Sequence, residues 1–120
     1  MASILRVNTL TDASSNNSTA MSTVFNGTAK AWGELNGTGT ISLDDNFNVG
    51  SVTDNGTGDY RFTYSNAFST GNNSLQGTAN AYHTQSYDSQ TTYAELRTYG
   101  SSHTQIDPSR VNMTVHGDLA

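Results

Sequence analysis

The chain has 120 residues, only 12% of them charged, a formal net charge of −5, a single Lys, four Arg and no Cys. Leu, Ile, Val and Phe together number 20 against 57 for Thr, Ser, Asn and Gly, a composition of turns, strands and hydroxyl-rich surface that excludes a helical bundle. One domain is expected, without a basic stripe for nucleic acid, without the ~20-residue apolar run that membrane insertion needs, without the basic and apolar stretches of a signal peptide, and without disulfides, thiolate catalysis or Cys-based zinc sites. So small an apolar share, with no covalent staple, predicts that copies of the chain share a core.

Ile4, Leu5, Val7 and Leu10 form the first apolar cluster, and the Ser/Asn-rich stretch 11–19 follows without helical or strand periodicity. Residues 1–28 therefore read as an anchoring arm and polar linker, and residues 29–120 as a β-sandwich domain. From Lys30 onward, short segments are separated by Gly and Asn, the spacing of a sandwich or barrel. Segments 31–35 and 40–43 are strands joined by Asn36-Gly37-Thr38-Gly39. The same four residue types recur at Asn55-Gly56-Thr57-Gly58. Both read as hairpin turns, with Asn36-Gly37 and Asn55-Gly56 supplying positive φ and the second Gly a bulge. After the second turn, Tyr60, Phe62 and Tyr64 alternate with Asp59, Arg61 and Thr63. Phe47, Val49 and Val52 supply the strand that pairs with it, and Gly50-Ser51 is a bulge.

Segment 75–82 puts Gly77, Ala79 and Ala81 on one face, which another backbone could approach closely. Segment 92–99 turns Ala94 and Leu96 inward and Tyr93, Glu95, Arg97 and Tyr99 outward. Residues Val111 to His116 alternate cleanly, and Leu119 extends their buried face. Stretches 82–91 and 100–110 read as long polar loops. Seven or eight strands predict an all-β fold, an antiparallel, jelly-roll-like β-sandwich with an extended N-terminal arm.

Catalytic chemistry finds little support. The Gly-x-Ser-x-Gly signature is absent. His83, His103 and His116 sit in polar company with no second ligand at metal spacing. Asp44-Asp45 and the carboxylates of 54–59 miss the calcium-loop spacing and read as turn caps. Glycoside hydrolysis needs two flanking carboxyls, and Glu34 and Glu95 are the only glutamates. No catalytic residue, metal ligand or cofactor is expected, and the chain does not read as an enzyme. Tyr82, Tyr87, Tyr93 and Tyr99 gather among Ser, Thr, Gln and Asn, the chemistry of an adaptable contact surface or of carbohydrate stacking, against the plainer reading of tyrosines covering a strand face.

Residues 30–64 contain Lys30-Ala31-Trp32, Asn36-Gly37-Thr38-Gly39-Thr40, Phe47-Asn48-Val49-Gly50-Ser51-Val52 and Thr53-Asp54-Asn55-Gly56-Thr57-Gly58-Asp59-Tyr60. They resemble a segment that recurs in fibre-like and decoration structural proteins of tailed, especially marine, bacteriophages. The opening Ser3-Ile4-Leu5-Arg6-Val7-Asn8-Thr9-Leu10 is similar to the start of such proteins. The resemblance implies a non-enzymatic virion component on the particle surface: a homotrimeric fibre, knob or capsid decoration whose partners are copies of itself and capsid or tail proteins. Composition agrees, since a 120-residue domain alone buries only about 65% of its unfolded surface and trimerisation would add to that. From Phe68 onward the chain departs from the segment, and contacts to a receptor or capsid lattice are expected there. No room is left for a shaft between Leu10 and Lys30. A small trimeric knob whose arm, residues 2–10, augments a strand on a neighbour is thus the leading expectation; the alternative is a tail-fibre module that binds a host surface glycan through the four tyrosines.

Overall fold

The computed structural model describes residues 2–120. A hairpin of β1 (Thr9–Thr11) and β2 (Ser18–Ala20) leads into a short helix, α1 (Met21–Gly27). Eight strands follow: β3 (Ala31–Asn36), β4 (Ser42–Phe47), β5 (Val49–Gly56), β6 (Asp59–Tyr64), β7 (Ser74–Ala79), β8 (His83–Ser89), β9 (Tyr93–Tyr99) and β10 (Val111–His116). They form two four-stranded antiparallel sheets, β4-β3-β10-β7 and β5-β6-β9-β8, packed as a sandwich. The all-β antiparallel sandwich is as the alternation predicts. Within it, the hairpins β3–β4, β5–β6 and β8–β9 each stay in one sheet. Strands β7 and β10 enter the first sheet singly, so the chain crosses between the sheets after β4, β6, β7 and β9.

The period of two decides what faces inward. Ala31 and Leu35 on β3, Tyr60, Phe62 and Tyr64 on β6, Ala94, Leu96 and Thr98 on β9, and Val111, Met113 and Val115 on β10 are all buried. Large side chains meet glycines across the sandwich. A Cβ on Gly33 would stand 3.3 Å from the Phe62 ring, and one on Gly77 would stand 2.5 Å from Leu96 Cδ2. The group that approaches Gly77 is thus the Leu96 side chain of the facing sheet, where a backbone was expected. Within one chain the buried apolar residues form a single cluster. Counting Leu, Ile, Val and Phe overlooked the Tyr, Ala, Met and Thr that fill this core, and glycines on the inner face leave room for the aromatic rings.

Tyr64 carries the one buried side-chain polar atom among the described residues without a well-formed hydrogen bond; burial pushes the phenol up to about 12, against a smaller lowering by the Ser89 side chain. A buried, unpaired hydroxyl costs free energy that a phenyl ring does not. Tyr64→Phe should therefore raise the stability to urea by about 1 kcal/mol. A loss of stability would show that the hydroxyl has a partner after all.

Several local readings change. Stretch 11–19 is a hairpin where a linker was expected, because the Asp12 carboxylate accepts hydrogen bonds from Ser14 N (3.1 Å), Asn16 N (3.0 Å) and Asn17 Nδ2 (2.7 Å) and so folds the turn itself. Helix α1 is too short to display a period, and the Lys30 ammonium ties it to the sandwich by donating to Thr28 O (2.7 Å) and Phe25 O and lying 4.2 Å from the Phe25 ring centroid. Stretch 82–91 contains β8, an edge strand without Leu, Ile, Val or Phe; with one neighbouring strand it needs little apolar surface. Phe47 ends β4 opposite Trp32 and does not join Val49 and Val52 on β5, because Asn48, at φ 57°, turns the chain into the other sheet. Gly50 is the bulged residue between Val49 and Ser51, as expected.

Residues 2–7 form an exposed arm outside any strand or helix, and Asn8 joins it to the hairpin by accepting from Met21 N (2.9 Å). The radius of gyration is 17.3 Å, against about 14 Å for a compact chain of this length, and the molecule measures 53 × 30 × 27 Å.

Candidate functional site

The outer face of β5-β6-β9-β8 is built by strand alternation. Antiparallel pairing sets Arg61 opposite Glu95 and Asp59 opposite Arg97, so Asp-x-Arg on β6 meets Glu-x-Arg on β9 with charges matched in both rows. Arg61 Nε donates to Glu95 Oε1 (2.6 Å), and Arg97 Nε donates to Asp59 Oδ2 (2.9 Å). Asn55 Nδ2 reaches Glu95 Oε1 (3.2 Å) and Asp59 Oδ1 (3.4 Å). Each guanidinium also covers a ring, Arg61 at 4.0 Å from the Tyr93 centroid and Arg97 at 3.3 Å from that of Tyr87.

Tyr87 is the bulged residue of β8, with Ser86 opposite Leu96 and Asp88 opposite Glu95. The Tyr93 hydroxyl donates to Asp88 Oδ2 (3.0 Å), and Tyr99 donates to Gln85 Oε1 (3.1 Å). At the end of the face, the rings of His83 and His103 lie 4.7 and 5.3 Å from that of Tyr99. The result is a lattice of two ion pairs, a third carboxylate at Asp88 and aromatic rings. Its groups suit recognition through ring edges and hydroxyls.

Tyr87, Tyr93 and Tyr99 are thus neighbours on one face. Tyr82 stands apart at the corner between β7 and β8, 77% exposed, its backbone N–H donating to Tyr99 O (2.9 Å). Ile4, Leu5 and Val7 lie exposed on the arm, and Leu10 sits in β1 opposite Thr19.

The turn residues have distinct roles. Asn36 Oδ1 accepts from Thr38 N (2.9 Å) and Thr38 Oγ1 (2.6 Å), closing an Asx turn. Neither Asn36 nor Gly37 takes the positive φ expected of them, which falls instead on Gly39 (66°); Gly37 is buried, and a Cβ there would collide with the Tyr60 hydroxyl and stand 2.7 Å from Pro108 O. In the second hairpin the reversal falls at Thr57-Gly58, two residues beyond the expected Asn55-Gly56, because Asn55 is a bulge residue that leaves Gly56 opposite Asp59. Two features escaped the sequence reading: the His83–Tyr99–His103 cluster and the exposed pair of Trp32 and Phe47 on the outer face of the other sheet. The matched Asp-x-Arg and Glu-x-Arg spacing was the available signal for the ion pairs, legible once β6 and β9 are known to be antiparallel neighbours.

Asp88 gives the face a pH test. The Gln90 side chain, at 2.8 Å, and the Tyr93 hydroxyl hold its carboxyl below the ordinary range. A folded-state pKa below the unfolded one contributes stability above the unfolded pKa, and that contribution is lost as pH falls through the folded value. In Tyr93→Phe the Asp88 carboxyl should titrate at higher pH, still below its ordinary value because Gln90 remains. An NMR titration of the carboxyl carbon checks this, and an unmoved midpoint would remove Tyr93 from the account.

Comparison with protein-family models, with curated proteins and with solved structures finds no match to this chain.

Proposed function

We propose that this chain is a non-enzymatic structural protein of a tailed bacteriophage particle, a small homotrimeric knob or capsid decoration displayed on the surface and joined to its neighbours through the N-terminal arm. One observation carries the reading: a sandwich with one buried cluster bears a protruding arm whose Ile4 and Leu5 are 76% and 79% exposed. Apolar side chains clustered on an exposed segment outside any strand or helix fit addition to a partner better than they fit solvent. The resemblance of residues 30–64 falls on β3 to β6, which hold both of the repeated turns.

Deleting residues 2–8 tests the proposal. The truncated chain should keep its melting transition and fail to join particles. Incorporation at normal copy number would overturn the assignment of the arm. Electron cryomicroscopy of intact particles then distinguishes head from tail by position and copy number.

A glycan-binding role for the tyrosines is the second reading. It rests best on Tyr82, which is exposed, since Tyr87 and Tyr93 each already hold a guanidinium against the ring. Binding on a glycan array that disappears in Tyr82→Ala would favour it, and an array without any binding would dismiss it.

A further inference from the structure

The tripeptide Asn-Gly-Thr occurs three times, at Asn26-Gly27-Thr28, Asn36-Gly37-Thr38 and Asn55-Gly56-Thr57. An Asn followed by Gly can modify itself: the Gly nitrogen attacks the side-chain amide carbon, and no Cβ on the Gly hinders the approach. From the Asn onward the local sequence is the same at all three sites, so the fold sets any difference in reactivity between them. Two of the three are held. Asn36 Oδ1 accepts from Thr38 N and Thr38 Oγ1, while Gly37 is buried with its N–H donated to Pro108 O (3.0 Å). Asn55 Nδ2 donates to Glu95 and Asp59, and Gly56 N donates to Asp54 Oδ1 (2.9 Å). In both cases the side-chain amide and the Gly N–H, the two groups that would react, are already engaged.

We infer that Asn26 is a site of spontaneous isoaspartate formation, and that the reaction releases the clamp by which Lys30 holds α1 to the sandwich. Asn26 and Gly27 are exposed, and a Cβ on Gly27 would meet nothing within 4 Å. The side-chain bonds nearby go to Val24 O, Phe25 O and Thr28 O, and among the described residues none engages the Asn26 amide or the Gly27 N–H. A helical N–H is given to the carbonyl four residues back, yet α1 has only seven residues, no side-chain N-cap and no buried residue, and Gly27 is its last. Helices that short do not hold themselves closed in water. The last turn therefore frays and frees the Gly27 nitrogen.

Water is the co-reactant. The bond from Gly27 N to Asn26 Cγ forms as the Asn26 Cγ–Nδ2 bond breaks, ammonia leaves with the Gly27 amide proton, and a cyclic imide remains. Water then opens the imide at Cγ, giving an ordinary aspartate, or at the main-chain carbonyl, giving isoaspartate, whose peptide link runs through the side-chain carbon. Either product adds a carboxylate. Isoaspartate also lengthens the main chain by a methylene between Phe25 O and Thr28 O, the two carbonyls that Lys30 Nζ joins. Among the described residues, the Lys30 bond to Phe25 O is the one hydrogen bond between residues 2–27 and the sandwich. A change of length between its two carbonyls pulls that clamp apart. None of this depends on the structural role proposed above.

The folded full chain is aged in mildly alkaline buffer and then digested with trypsin, whose cleavage after Arg6, Lys30 and Arg61 puts Asn26 in one peptide and Asn36 and Asn55 in the next. Mass spectrometry with electron-transfer fragmentation counts the aspartate and isoaspartate formed at each site. Asn26 should react about tenfold faster than either of the others, the rate ratio that a held N–H worth about 1.4 kcal/mol imposes. In urea the three rates should converge, because only the shared sequence is left. Gly27→Ala, whose added carbon meets no atom within 4 Å, should keep the melting transition and slow the reaction at Asn26. Lys30 reports on the clamp. As the single Lys of the chain it gives unique side-chain NMR signals, shifted by the Phe25 ring 4.2 Å from Nζ, and these should move to the free-lysine position as isoaspartate accumulates. Asn36 or Asn55 reacting as fast as Asn26 in the folded chain, or the same spread of rates persisting in urea, overturns the site. Lys30 signals that stay in place in the modified chain overturn the release of the clamp.

Discussion

Gly58→Ala should cost about 3–5 kcal/mol, a large share of the 5–15 kcal/mol that holds a domain of this kind folded. Gly58 sits at φ 65°, in the left-handed region, and a Cβ there would stand 2.7 Å from Thr98 O, 2.8 Å from Ile106 O and 2.9 Å from Ile106 N. All three atoms are backbone and cannot swing aside. The position is also a junction. Gly58 N and the Tyr60 hydroxyl both donate to Asp107 Oδ1 at 2.7 Å, Gly58 O accepts from Thr98 N (3.0 Å), and Thr98 Oγ1 donates to Ile106 O (2.7 Å). Through these bonds the loop 100–110 clamps the tip of the second hairpin, and burial together with Asp107 raises the Tyr60 phenol far above its ordinary range.

Gly39→Ala is the matched control. Gly39 has nearly the same φ, 66°, with no atom within 4 Å of the added carbon, so only the backbone penalty of about 1 kcal/mol remains. Urea denaturation of the two variants separates strain from collision. If Gly58→Ala falls within about 1 kcal/mol of Gly39→Ala, the clamp is not rigid.

Phe62→Ala is the second large effect. Phe62 is fully buried, opposite Ala94 in the sheet and packed over Gly33 from the facing sheet. Truncating such a ring costs about 3–5 kcal/mol, because Gly33 offers no side chain to refill the space. The decisive readout is the partition between folding and assembly. With Phe62 inside the buried cluster of one chain, the variant should lose thermal stability while keeping the sedimentation behaviour of the parent below its melting transition. Dissociation of an oligomer at temperatures where the fold persists would mean that Phe62 packs against a second copy.

How much of this could be read in advance varied with how local the deciding interaction is. The alternations Tyr60, Phe62, Tyr64 and Val111, Met113, Val115 announce strands because each has one face in the core and one in solvent. Strand β8 announces nothing, since an edge strand with one neighbour tolerates His83-Thr84-Gln85-Ser86-Tyr87-Asp88-Ser89. The hairpin β1–β2 was hidden in a Ser/Asn-rich stretch because its order comes from the three hydrogen bonds to Asp12 and not from apolar periodicity. At the candidate site, the outward set Tyr93, Glu95, Arg97 and Tyr99 was legible from alternation, but its meeting with Arg61 and Tyr87 depends on which strands are neighbours.

By itself the amino-acid order determined the class: β-strands, two repeated Asn-Gly-Thr-Gly turns, a bulge at Gly50 and an apolar stretch ahead of a polar domain. These follow from dihedral preferences and a period of two, properties that adjacent residues carry with them. Tertiary structure alone decided that the inward faces of the two sheets meet in one buried cluster, and that Tyr87, Tyr93 and Tyr99 join two ion pairs on one face. Each of those depends on pairing between residues distant in the chain, where packing volume and register select the partner and no short stretch contains the choice.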